Sequence, residues 1–157
     1  MKRFVLPVLL VGAGFGAAGL VLPASSPAPA GPIPTSLWTL ERTEAKSFDW
    51  GEARLIHTAA ETHGVKDCLV GHVTLKPGQT NHPPHRHAEE EFLVLVEGEG
   101  TWHINGKDHP ARKGDVVYTA PWDPHGITNT GSKPLTFFVV KWGYKGVPSP
   151  PPPAEAK

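Results

Sequence analysis

Hydrophobic and polar positions in this chain fall into short strand-like runs separated by glycine and proline. CLVGHVTL, residues 68–75, is largely apolar and closes at the turn signal Lys76-Pro77-Gly78. FLVLVEG, residues 92–98, stops at a glycine. TWHI, residues 101–104, runs into Asn105-Gly106, a pair suited to a tight hairpin turn, so the residues after it should return as a partner strand. DVVYTA, residues 115–120, is broken by Pro121, and LTFFVVKW, residues 135–142, is the last strong run. No stretch sustains helical periodicity. The segment SFDWGEARLIHTAAETHG, residues 47–64, is ambiguous and reads as extended or short helix. Many short strands with Gly and Pro turns predict an all-β sandwich or barrel.

Two of these runs do not alternate. FLVLV and FFVV are apolar at every position. A strand with one face in water should alternate, so one outer face is expected to be covered, by an N-terminal arm or by a second subunit in a homodimer.

Composition changes toward both ends. Lys2 and Arg3 precede a run, residues 4–22, that is apolar or glycine apart from Pro7. PASSPAPA follows and ends Ala28-Pro29-Ala30, an A-x-A-like cleavage site. Residues 1–30 thus have the layout of a secretory signal peptide, and the expected location is periplasmic or secreted. The apolar run is also long enough to remain as an uncleaved anchor. With the signal removed, no stable membrane association is expected. Residues 31–47 read as an extended arm and residues 146–157 as a Pro-rich disordered tail. Residues 48–145 remain as one folded domain, large enough for a modest core.

Formal net charge is +0, which leaves no basic footprint for nucleic acid. The single cysteine excludes an intramolecular disulfide and a Cys-rich zinc site. Cys68, in the run CLV, reads as a small core residue.

The candidate chemistry lies in PPHRHAEEE and PWDPHGITN. His85 and His87 are two apart, so on extended chain both imidazoles project to one side. Glu91 follows four residues after His87, and His125 must converge from another strand. Imidazole and carboxylate together suit Fe, Mn, Ni, Cu or Zn better than calcium or magnesium. Glu89 and Glu90 compete with Glu91, which directly precedes the apolar strand. His82 precedes Pro83-Pro84 and reads as a loop histidine. His57, His63, His72, His103 and His109 are scattered, with structural or exposed roles expected. If Glu91 points inward, so do Leu93 and Leu95, while Phe92, Val94 and Val96 take the other face; Ile127 shares the face of His125. Trp102, Tyr118, Trp122, Phe137, Phe138 and Trp142 are candidates for wall or core. Asn129 is placed either to brace the loop behind His125 or in a surface turn.

The run G-x6-H-x-H-x3-E-x6-G, Gly78 to Gly98, resembles the first motif of the cupin superfamily. G-x6-P-x-D-x-H-x3-N, Gly114 to Asn129, resembles the second. The first gap is one residue longer than the usual pattern. In the second motif Asp123 stands at the common glycine, and His125 arrives one residue early. The resemblance implies a double-stranded β-helix, or jelly-roll, barrel over residues 48–145. It also implies one divalent transition metal held by His85, His87, Glu91 and His125. A small-molecule ligand or substrate is the expected partner. The expected activity is that of a metal-dependent dioxygenase or oxidase, with Glu91 as a possible proton acceptor. The alternatives are a non-redox isomerase or decarboxylase, and a non-catalytic module that binds metal and a small ligand.

Overall fold

The computed structural model describes residues 32–154, with the side chains of residues 57–60 left aside. The expected signal segment, residues 1–30, and the last three residues lie outside the described residues. The described chain has nine strands and a single 3-10 turn, Leu40–Arg42. They are β1 (Lys46–Phe48), β2 (Gly51–Ala60), β3 (Val65–Leu75), β4 (Glu90–Glu97), β5 (Glu99–Ile104), β6 (Lys107–Arg112), β7 (Val116–Thr119), β8 (His125–Thr128) and β9 (Leu135–Tyr144). The ambiguous segment at 47–64 is extended, because it pairs with β3 along most of its length.

All pairings are antiparallel. A six-stranded sheet runs β1-β2-β3-β9-β4-β7, and a three-stranded sheet runs β6-β5-β8. The two close over one core as a jelly-roll sandwich. Val73, Leu75, Leu93, Leu95, Leu135 and Phe137 come from the large sheet. Trp102, Ala111 and Ile127 come from the small one. Asn105 and Gly106 both have positive φ, 50° and 73°, as the β5–β6 hairpin turn requires.

Strand parity sorts the apolar runs. On β4, Leu93 and Leu95 are buried, whereas Phe92 is 39% exposed. Phe92 pairs with Tyr118 on β7 and Val140 on β9, and Val94 pairs with Val116 and Phe138. The outer face of β9-β4-β7 is therefore apolar. The arm is held at the β2 end, where Arg54 Nη1 donates to the carbonyls of Leu40 (3.1 Å) and Thr43 (2.7 Å). Cys68 is half-buried and outside the core cluster, contrary to the core placement expected for it. Its strand parity, fixed by the pairing of β3 with β9, keeps it off the inner face. Burial pushes its thiol pKa up.

Asn129 is fully buried behind the second motif. Its Nδ2 donates to Leu75 O (3.0 Å) and Lys133 O (2.9 Å), and its Oδ1 accepts from Gly131 N (3.0 Å). It is a brace, not a surface turn residue. Asn129→Ala leaves those groups short of partners and should destabilise the fold by about 2–3 kcal/mol. Denaturant unfolding checks this; a change below about 0.5 kcal/mol would remove the brace from the account.

Candidate metal centre

The site forms where the first motif's loop lies against the start of β8. His85 N donates to His125 O (3.0 Å), and His125 N donates back to His85 O (2.9 Å). This reciprocal pair sets two histidines directly opposite one another. Gly126 lets the loop pack closely beside it: a Cβ there would stand 3.1 Å from Pro84 Cα, so the loop would have to give by a few tenths of an ångström. His87 is tied in separately, its carbonyl accepting from Trp122 N at 2.7 Å.

Trp122 carries the local strain. Asp123 N donates to Ala120 O (3.2 Å), which closes a turn with Pro121 and Trp122 at its centre. Proline suits the first central position. Trp122 takes the second with φ 68°, a left-handed conformation that costs a side-chain-bearing residue roughly 1–2 kcal/mol. The strained residue sits one position before Asp123, where the family pattern has glycine. Trp122 Nε1 also donates to Pro150 O (2.9 Å), so the C-terminal segment packs on this turn.

Ligand atoms of His85, His87 and His125 all lie within 4.8 Å of one another. Glu91, on the inward face of β4, lies beside them. Its carboxylate is 3.4 Å from His125 Nε2 and 3.6 Å from His87 Nε2. Those separations exceed a charge-assisted hydrogen bond, about 2.7–2.9 Å. Both Nε2 atoms are buried and have no hydrogen-bond partner. The opposite nitrogens are satisfied: His87 Nδ1 lies 3.1 Å from Glu89 O, and His125 Nδ1 lies 2.8 Å from Asp123 O. Facing a carbonyl, each Nδ1 carries the proton in a neutral ring. That leaves the Nε2 lone pairs aimed at the centre, the tautomer a metal requires. The donor set fits a divalent transition metal.

The titration behaviour follows from the same packing. Burial raises the Glu91 carboxyl, but the His125 and His87 imidazoles outweigh it and hold the pKa at about 2. Burial lowers His125, yet the Glu91 carboxylate and the Asp123 carbonyl prevail and raise it. His85 is pushed down to about 4, by burial first and then by the imidazoles of His82, His125 and His87.

The three consecutive glutamates have separate fates. Glu90 faces outward, accepting from Tyr118 Oη (2.5 Å) and Trp142 Nε1 (3.2 Å). Glu89 stays at the rim beside Lys141. His82 packs edge-on against His85 at 4.1 Å and is exposed. His72 packs edge-on against Phe138 on the outer sheet face. His103 bridges Asp108 (2.6 Å) and Thr128 (2.8 Å) on the small sheet. His63 and His109 are exposed, and the side chain of His57 lies outside the described residues.

The centre opens on a cavity of about 250 Å³, walled by Trp50, Leu55, Leu69, Val73, Val139 and Lys141. A second space of about 40 Å³ lies between His125, Leu93, Ile127 and Phe137, with room for one small molecule. A larger hollow of about 310 Å³, at Gly98, Glu99, Ser132 and Lys133, lies at the other end of β4 and holds no histidine. Sequence reasoning passed over Lys141. Counting alternate positions along β9 from Phe137 would have placed it on the inner face.

A sequence profile described as "Cupin domain" matches residues 71–141. An oxalate-binding protein of Thermotoga maritima is 35% identical over 103 residues, 65% of this chain and 85% of that protein. A gentisate 1,2-dioxygenase of Streptomyces sp is 36% identical over 56 residues, 35% of this chain but only 16% of that enzyme. Among solved structures, a predicted oxalate decarboxylase from Thermotoga maritima superimposes with a TM-score of 0.57 at 26% identity, covering 68% of this chain and 98% of the other. With both motifs on one jelly-roll and a relative matched over most of its length, the chain belongs to the cupin superfamily.

Proposed function

We propose that the chain is an exported cupin that binds one divalent transition metal through His85, His87, Glu91 and His125. In this reading it acts as a dioxygenase- or oxidase-type enzyme on a small organic substrate. The observation that carries the reading is the pair of buried, unpartnered Nε2 atoms of His87 and His125, converging on Glu91 beside an apolar cavity. A bound redox metal would supply Lewis acidity and electron transfer at open coordination positions. The protein's own part is to orient the imidazoles through the Glu89 and Asp123 carbonyls, and to exclude water with Leu93, Ile127, Phe137 and Val139. A proton-acceptor role for Glu91 requires its carboxyl to rise from about 2 once substrate is bound.

A second reading is supported by the relative of Thermotoga maritima, named for binding oxalate. There the metal would hold a small ligand without redox chemistry. Oxygen consumption by the iron-, copper- or manganese-loaded protein, absent with zinc, favours the enzyme. Ligand binding without turnover under any of these metals favours the binding module.

The metal is tested directly. Elemental analysis of protein from its native compartment should give one transition metal per chain, and His85→Ala/His125→Ala should lose it. Stoichiometric metal in that variant would place the centre elsewhere. Export is tested on the same material by fractionation and N-terminal sequencing, with cleavage near Ala30 expected.

Metal uptake should also depend on pH. His125 has a raised pKa, so in the metal-free protein it holds a proton at and somewhat above the ordinary imidazole value of about 6.5. Ligation requires its neutral form. Apparent zinc affinity should therefore fall as pH drops through neutrality, with proton release on binding. His85, near 4, adds nothing in that window. Calorimetry in buffers of different ionisation enthalpy measures the release; an affinity flat between about pH 5.5 and 8 would contradict it.

The apolar outer face of β9-β4-β7 is proposed as a homodimer surface. Phe92, Val116 and Tyr118 are 39%, 59% and 49% exposed, and the arm lies at the other edge of the sheet. Sedimentation should show a dimer that Val116→Lys dissociates. A native protein monomeric at high concentration would refute it.

A further inference from the structure

The cavity beside the metal centre has one feature the chemistry above does not use. β9 directs Leu135, Phe137 and Val139 inward, and Lys141 is the next residue of that series. It pairs in register with Glu91 on one side and Leu69 on the other. A lysine on an inner sheet face is costly unless something anionic meets it. Its ion pair is not with Glu91, whose carboxylate faces the histidines. It is with Glu89, at 3.6 Å, on the rim. That is longer than a good charge-assisted contact, and both side chains are partly in water, so the pair holds Lys141 weakly. The ammonium carries three donors, and Glu89 can take only part of that capacity.

Apart from Asn81 and His82 beside the histidines, the rest of the wall is apolar. Phe48 and Trp50 stack at 4.6 Å with an interplanar angle of 8°, a flat aromatic patch that shares the wall with Val139 and Leu69. At about 250 Å³ the cavity falls below the roughly 300 Å³ lower end for drug-sized ligands. It thus offers metal ligands at one end, a cation on its wall, and an apolar, partly aromatic body between them.

We infer that Lys141 is a specificity-determining residue that receives the carboxylate of a small organic acid, displacing Glu89 from the ammonium. This inference rests on the metal-centre reading, since the other end of the ligand is held there. The substrate class becomes a compact acid with an apolar or planar body and a second oxygen function for the metal. Neutral analogues of the same shape are disfavoured because they leave the ammonium to Glu89.

The test uses the zinc-loaded full chain, so that binding is read without turnover. The probes are 3,4-dihydroxybenzoate and 3,4-dihydroxybenzamide, which share ring and diol and differ in a carboxylate replaced by a neutral carboxamide of similar shape. Calorimetry should show the acid binding at least about ten-fold more tightly than the amide. Lys141→Gln should erase that preference, and Lys141→Arg should keep most of it. A native protein that binds both probes equally, or binds neither, overturns the proposal without any variant. So does a preference that survives in Lys141→Gln. Zinc stoichiometry on the same samples reports the centre itself. Loss of zinc from the native protein refutes the metal reading, whereas retained zinc with no charge preference refutes only the role of Lys141.

Discussion

The centre depends on a short seam of hydrogen bonds that joins the two halves of the motif. Gly78 N and Asn129 O, Asn129 N and Gln79 O, Thr80 Oγ1 and Ile127 O, and the reciprocal His85–His125 pair follow one another along it. The first motif's loop is thereby laid antiparallel beside β8 although its residues form no long strand of their own. Side chains of a loop would otherwise sample many positions, and each imidazole would have to be ordered on ligand binding. The seam supplies that order in the folded chain. It also explains why Asn129, with no ligand atom to offer, lies at the bottom of the structure that holds the ligands.

Much of this was legible in the sequence because strands follow period-two rules. The inward set Glu91, Leu93, Leu95 and the outward set Phe92, Val94, Val96 followed from one parity choice, and burial agrees with it. The Asn105-Gly106 hairpin followed from φ requirements. What could not be read depended on relations between distant segments. Trp122 in a left-handed turn contradicts its local preference and is held by His87 O and Pro150 O, neither near it in sequence. β8 is only four residues long and is built by its partners β5 and His85. Cys68 is half-buried because the parity fixed by the pairing of β3 with β9 turns Val73 and Leu75 inward and Cys68 out, which its apolar neighbours do not announce.

The two faces of the large sheet use similar residues for different ends. Inside, leucine, valine and phenylalanine keep water from a cluster of polar ligand atoms, which raises the strength of every electrostatic contact there. Outside, phenylalanine, valine and tyrosine lie open, with one carboxylate, Glu90, held between Tyr118 and Trp142. That contact pushes the Tyr118 hydroxyl up to about 12, so it stays a proton donor at any ordinary pH. A charge fixed on an apolar surface gives that surface a definite orientation toward whatever covers it.

The glutamate triplet has a consequence for how the chain tolerates change. Three neighbouring carboxylates occupy a rim, an outer face and the centre, separated only by which way the backbone turns. If β4 slipped by one residue against β9, a carboxylate would still face the histidines. Every residue after it would change sides, with Phe92 and Val94 driven into the core and Leu93 and Leu95 expelled. The carboxylate is therefore replaceable in composition and irreplaceable in register. A residue inserted within β4 after Glu91 would spare the centre's inventory of atoms while turning the strand's apolar face out of the core.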